Sequence, residues 1–151
     1  MPVGDIASWE GPFGIANLSA MVGWVALIFL PRWPWLITTL RIGVIGILGV
    51  VYATLIFAYA AGAEGASFST LAGVAVFMAV PPLMLAGWIH YLAFDLFVGT
   101  VIAEKSDARG LSRFLQAPIL FATFMLGPLG YVLHLASLAL PAKRAAELQP
   151  A

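Results

Sequence analysis

Four long, mainly apolar stretches dominate this chain of 151 residues, at 11–30, 42–61, 71–99 and 116–140. About 20 apolar residues in a helix cross the roughly 30 Å of bilayer hydrocarbon. Each stretch therefore predicts a transmembrane helix, and together they predict an all-α integral membrane bundle of four helices in one domain, 1–151. Composition agrees, since 62% of the residues are hydrophobic and only 9% are charged, against about 25% charged in soluble domains. Seven Lys+Arg balance seven Asp+Glu without a basic block, so nucleic acid is not an expected partner. The absence of cysteine excludes disulfides, thiolate metal sites and a cysteine nucleophile. No Lys or Arg precedes Arg32; the first stretch lacks the basic start of a signal peptide and is expected to stay as a span.

Proline, glycine and interfacial aromatics mark the ends. Pro31 closes the first stretch ahead of Arg32, Trp33 and Trp35, and Gly62-Ala63-Glu64-Gly65 closes the second. The third would be about 43 Å long as a straight helix, more than the hydrocarbon needs. Pro81-Pro82 within it predicts a long helix with a kink. The fourth contains Gly127-Pro128 and stops at Pro141, before a short polar tail from Lys143. Basic residues gather in the connections near 31–41 and 100–115, which the positive-inside rule places in the cytoplasm. That puts both termini on the non-cytoplasmic side of what is expected to be a bacterial inner membrane. Gly43, Gly46 and Gly49 repeat every third residue in an apolar setting with no strand before them, which suits close helix packing better than a phosphate loop.

Ionisable groups inside spans are costly and mark a pathway, a site or a structural pair. Asp95, His90 and His134 are the candidates. Asp95 falls near the C-terminal end of the third stretch, where the helix dipole disfavours a carboxylate, so a cation is expected beside it. Arg113 is the expected partner, with Arg41 or Arg109 as substitutes. Two readings of Asp95 stand side by side: a clamp between the third and fourth helices, or a group that handles protons. By helical rise His90 lies about 13 Å from the inner end, Tyr52 about 15 Å, Asn17 about 20 Å and Thr123 about 10 Å. Polar groups near one depth on four helices suit a small pocket between apolar walls; the alternative is that each is satisfied by a nearby backbone carbonyl.

His134 falls about 27 Å along the fourth helix, too far from His90 for the two to share a metal. No metal or other cofactor is expected, since the spans hold no Cys or Glu to complete a zinc or di-iron set. His90 and Asp95, five residues apart, diverge on a regular helix, whereas Tyr91 and Asp95 share a face. Trp88, Tyr91, Phe94 and Phe97 surround these two polar residues, which suits either ordinary packing or a slot for a flat, long, apolar molecule such as a polyene.

Trp88-Ile-His90-Tyr91-Leu-Ala-Phe94-Asp95-Leu96, the run from Leu111-Ser112-Arg113 to Gln116-Ala-Pro118, and Thr123-Phe-Met-Leu-Gly127-Pro128-Leu-Gly130 resemble the abscisic-acid-deficient-four family. Asn17-Leu18, Gly23-Trp24 and Pro31 fit the same pattern, so the resemblance covers about residues 15 to 138. It implies a four-helix membrane protein linked to carotenoids, whose plant members are associated with neoxanthin synthesis. The implied chemistry opens a 5,6-epoxide of violaxanthin to an allene with no net redox change. Such a step needs an acid at the epoxide oxygen and a base at the polyene; by analogy Asp95 or His90 would serve.

The leading expectation is thus a membrane protein that binds, and isomerises, a carotenoid or related isoprenoid. Its catalytic candidates are Asp95 and His90, and its ligand-binding candidates are Asn17, Tyr52, Trp88, Tyr91, Phe94 and Thr123. The alternative is a non-catalytic accessory subunit, or a homo-oligomer, packing through Gly43, Gly46 and Gly49. A transporter built on Asp95 is a poorer fit, because one acid beside an arginine makes an incomplete relay.

Overall fold

Backbone polar groups that enter hydrocarbon meet no water, and a helix satisfies them within one segment. The computed structural model of the protein describes residues 5–139, and these form helices with no strand among them. A 3₁₀ turn, Ile6–Trp9, leads into α1 (Glu10–Phe29). A second rod joins α2 (Pro34–Thr39) through a π-helical stretch, Leu40–Ile45, to α3 (Gly46–Tyr59). Then come α4 (Leu71–Met78), α5 (Pro81–Ala108), α6 (Arg113–Leu126) and α7 (Pro128–Ser137). Three runs are long and apolar enough to cross a membrane: Ile6–Phe29, Pro34–Gly62 and Pro81–Ala108. The expected tail from Lys143 and both chain ends lie outside the described residues.

The third stretch is two helices rather than one bent one. A residue before proline is pushed out of the helical region, and Val80 is extended, at φ −86° and ψ 113°. Pro81 and Pro82 then occupy the first turn of α5, where a missing N–H costs nothing and a fixed φ helps the helix start. The prolines begin a helix, and α5 runs nine residues beyond the expected end at Gly99, to Ala108.

The fourth stretch is two short helices rather than one long enough to cross a membrane. Gly127, at φ +37° and ψ −91°, breaks it, and α7 folds back along α6. A Cβ on Gly130 would overlap the backbone of Thr123, so the two helices touch where only glycine fits. Arg109, just past the end of α5, donates from Nη1 to the Ser137 carbonyl at 3.2 Å and from Nη2 to that of Leu138 at 3.0 Å. The end of α7 is therefore beside the start of α6, and the pair forms a helical hairpin with its tip at Gly127. His134 consequently lies within electrostatic reach of Lys105 and Arg109, toward the end of the bundle where the hairpin starts, not at the far end as a straight fourth helix required.

α5 is the central element, packed against α3, α1 and α6. Ala16, Ala20, Gly23 and Leu27 form one buried face of α1, at the three- and four-residue spacing of a helix stripe. A Cβ on Gly23 would come within 2.8 Å of the Leu96 side chain, and one on Gly99 would strike the Trp24 ring. Small residues thus let these helices approach, as they do in membranes generally. Gly43, Gly46 and Gly49 do not serve that purpose within the chain: a Cβ on the first two would meet only their own rod, and one on Gly49 would meet nothing.

One end of the bundle carries all five described basic residues and a dense polar network. Arg32, nearly buried, donates to both Asp107 oxygens at 3.1 Å, to the Leu27 carbonyl at 2.9 Å and to Gln116. Burial lowers the Arg32 pKa from its usual value, and the Asp107 carboxylate opposes that shift. Gln116 in turn donates to Asp107 at 2.8 Å and to the Leu111 carbonyl at 2.7 Å. Beside it Arg41 reaches Glu104 and, at 3.1 Å, the Thr100 hydroxyl. At the opposite end Trp9 and Tyr59 meet edge to face, with centroids 5.7 Å apart.

Candidate functional site

A crevice of about 440 Å³ opens between α1, α5 and the tip of the hairpin. Tyr91 and Asp95, one turn apart on α5, and Trp88, one turn earlier, face it as i, i+3 and i+7 positions must; α1 contributes Asn17 and Trp24. Phe124 closes it from α6, its ring 5.5 Å from that of Trp24. Trp88 Nε1 donates to Asn17 Oδ1 at 3.0 Å, and Asn17 Nδ2 donates to the Phe13 carbonyl at 2.8 Å. Asn17 is thereby fixed, and it ties the Trp88 indole to α1.

Asp95 is half-buried at the crevice edge, against the hairpin tip. A Cβ on Gly127 would lie 2.6 Å from its Oδ1, so the carboxyl group sits directly on the start of α7. The positive end of that helix's dipole faces it. On the other side of the tip a second cavity of about 350 Å³ again includes Asp95, Gly127 and Pro128, together with Phe94 and Tyr131. The acid thus stands between two openings divided by the hairpin tip.

The expected Asp95–Arg113 pair does not form. Arg113 lies 3.6 Å from Asp107 and donates to the Leu30 carbonyl at 3.3 Å, in the basic-end network. Because α5 continues to Ala108, Asp95 is about 20 Å from the helix end, far above the start of α6. Arg41 and Arg109, the expected substitutes, are engaged at the same basic end. Among the described residues no hydrogen bond or ion pair engages the Asp95 carboxyl group.

Four of the expected site residues, Asn17, Trp88, Tyr91 and Asp95, come together in the crevice. Phe94 lines the second cavity. His90 and Tyr52 meet each other elsewhere, with ring centroids 5.6 Å apart, and His90 stacks on Phe94 at 4.5 Å. Thr123 is fully buried and donates to the Ile119 carbonyl at 2.8 Å, beneath Gly130. Trp24, Phe124, Gly127 and Pro128 belong to the crevice and were not expected there. The Gly127-Pro128 pair was the available signal: a glycine that ends one helix and a proline that starts the next describe a reversal as well as they describe a break. No three His, Asp or Glu side chains converge among the described residues.

The crevice does not end abruptly. Toward the Trp9 end, Trp88 and Tyr91 also line a cavity of about 290 Å³ with Phe13 and Met84. Toward the basic end, Trp24 and Phe124 also line an apolar groove of about 420 Å³ between α1 and α6. A continuous surface track therefore follows α1, with Asp95 near its middle and Glu10 at its Trp9 end.

Such a track, with Asp95 in its central crevice, belongs to an all-helical protein with apolar helices long enough to cross a membrane. The model of the ABA4-like family, described as ABA DEFICIENT 4-like, matches residues 12–134. The chain belongs to that family, and the match takes in α1 and α5 and runs through the hairpin turn into α7. No curated protein and no solved structure matches the chain.

Proposed function

We propose that the protein binds a carotenoid or related isoprenoid in the α1–α5 crevice and isomerises it, with Asp95 as the group that moves the proton. One observation carries this reading: the carboxyl group stands at the edge of an aromatic crevice and, among the described residues, no hydrogen bond and no Lys or Arg ion pair occupies it. An isomerisation changes neither the redox state nor the proton count. A single carboxyl group therefore suffices: protonated, it donates to an epoxide oxygen, and as carboxylate it takes a proton from the adjacent polyene carbon. His90, outside the crevice, is not needed as a second acid or base. Trp88 and Tyr91 would hold the flat chain by stacking, and Asn17 would keep Trp88 in place.

The bilayer setting belongs to the same reading. The three long helices cross, and the α6–α7 hairpin enters from the basic end and turns at mid-depth. The basic end faces the cytoplasm of a bacterial inner membrane, in keeping with the positive-inside rule.

The test is the pigment profile of a carotenoid-producing bacterial host with and without the chain, together with the absorbance of the purified protein. The expected result is a changed profile and a co-purified visible chromophore. Asp95→Asn should lower conversion by about 10²–10⁴-fold, the range of general acid–base catalysis, with the folded yield unchanged. A colourless preparation and an unaltered profile would refute the proposal. A second reading, an accessory subunit or self-association through the rod, is favoured by Gly43, Gly46 and Gly49, where an added Cβ would meet no other helix among the described residues. It predicts a colourless, partner-bound preparation.

A further inference from the structure

Where α1 ends and α6 begins, a cavity of about 430 Å³ lies between Phe29, Pro31, Arg113 and Phe114. Ile28, Phe29 and Ala117 also line the neighbouring α1–α6 groove, so the two are one continuous channel along the protein surface. From Arg113 to Phe124 it is about 16 Å long by helical rise, the depth of one leaflet, half of the roughly 30 Å of hydrocarbon. The groove itself is almost wholly apolar, and its one charged wall residue is at its mouth.

The charge there is not balanced. Arg32 and Arg113 share a single carboxylate, Asp107, and Arg32 holds both its oxygens at 3.1 Å while Arg113 stands 3.6 Å from one of them. Gln116, the remaining side chain in the network, is neutral. Two guanidiniums on one acid leave a net charge of +1. The Arg32 side chain is 3% exposed and that of Arg113 is 43% exposed, so the excess charge is presented at Arg113, in the mouth of the groove. Phe114, 92% exposed beside it, is positioned to enter the same lipid layer.

We infer that this groove is a binding site for one anionic phospholipid of the inner leaflet, with the phosphate on Arg113 and an acyl chain lying between α1 and α6. A guanidinium matches a phosphate in charge and in the geometry of its donors. The apolar channel matches the chain in length and surface. The groove adjoins the crevice at Trp24 and Phe124, which line both, but the lipid site is centred on Arg113 at the other end and does not depend on the chemistry proposed at Asp95.

The test uses the full-length protein in a neutral detergent, with added dipalmitoyl phosphatidylglycerol or dipalmitoyl phosphatidylcholine, read by native mass spectrometry and by thermal unfolding. One phosphatidylglycerol per chain should be retained, at about fivefold preference or more over phosphatidylcholine, because both phosphates can meet Arg113 but choline adds a second cation beside a cluster that already carries an excess positive charge. It should also raise the melting temperature. Arg113→Gln should abolish the preference and Arg113→Lys should keep most of it. Ala117→Trp, which fills the groove and leaves the charges alone, should reduce retention of both lipids, so the inference stays testable if Arg113→Gln fails to fold. Equal retention of the two lipids would overturn it, as would full stabilisation by glycerol phosphate alone, which would mark an ion site. Retained preference in Arg113→Gln, or a dimer that buries the groove in place of lipid, would overturn it as well.

Discussion

Asp107 is a single residue on which one end of the bundle depends. It neutralises Arg32, whose guanidinium has almost no access to water, and it accepts from Gln116 at 2.8 Å. Removing one member of a buried pair strands the other charge, at a cost of about 3 kcal/mol or more. Asp107→Asn should therefore lower stability by that order, measured as a drop in the thermal or denaturant midpoint in detergent, whereas Glu104→Gln, in the more exposed pair with Arg41, should change it by less than about 1 kcal/mol. Equal effects would show that burial does not distinguish the two pairs. The sequence made Asp95 conspicuous but not its surroundings. Glu104, Lys105 and Asp107 look like a loop after Gly99, because charges end a hydrophobic run. In the structure they extend α5, and the added turns carry Asp95 away from Arg113. Hydropathy marks where hydrocarbon ends, and a helix is free to continue past it.

At the scale of elements the α6–α7 hairpin rests on two glycines. Gly130 lets α7 lie against Thr123, and Gly127 makes the reversal at a positive φ that side chains disfavour by about 1–2 kcal/mol. A side chain at 127 would also meet Asp95, 2.6 Å from the position of its Cβ. Gly127→Ala should therefore destabilise the protein by more than its backbone strain alone. Gly127→Ala combined with Asp95→Ala should recover the excess, leaving about 1–2 kcal/mol, as read from a double-mutant cycle of melting midpoints. Strict additivity would mean that the tip does not press on Asp95. The helices themselves were legible from apolar runs and their proline and glycine boundaries. The direction in which a chain leaves a break was not, because a span of 25 residues interrupted by Gly-Pro has the same hydropathy whether it continues or returns. Of the four polar residues expected near one depth, Asn17 lies in the crevice, Thr123 belongs to the hairpin's internal contact, and His90 and Tyr52 meet each other on a face that period counting does not separate from the crevice.

For the whole molecule the hairpin changes where the chain goes. Arg32, Arg41, Lys105, Arg109 and Arg113 all cluster at one end, and Glu10 and Glu64 belong to the other, where Trp9 meets Tyr59. A fourth crossing would carry residues 137–139 to the acidic end. The hairpin returns them to the basic end, where Arg109 binds the carbonyls of Ser137 and Leu138. The two arrangements differ by a full membrane thickness at one position, and the absence of native cysteine makes that difference directly measurable. Single cysteines at Ser112, Ala139 and Ala63 can be probed in intact cells and in inverted vesicles with a membrane-impermeant maleimide. Ser112→Cys and Ala139→Cys should react from the same side, the cytoplasmic one, and Ala63→Cys from the other. If Ala139→Cys instead reacts together with Ala63→Cys, the fourth segment crosses. The tip could not then rest against Asp95, and the crevice would lose the wall that Gly127 and Pro128 provide.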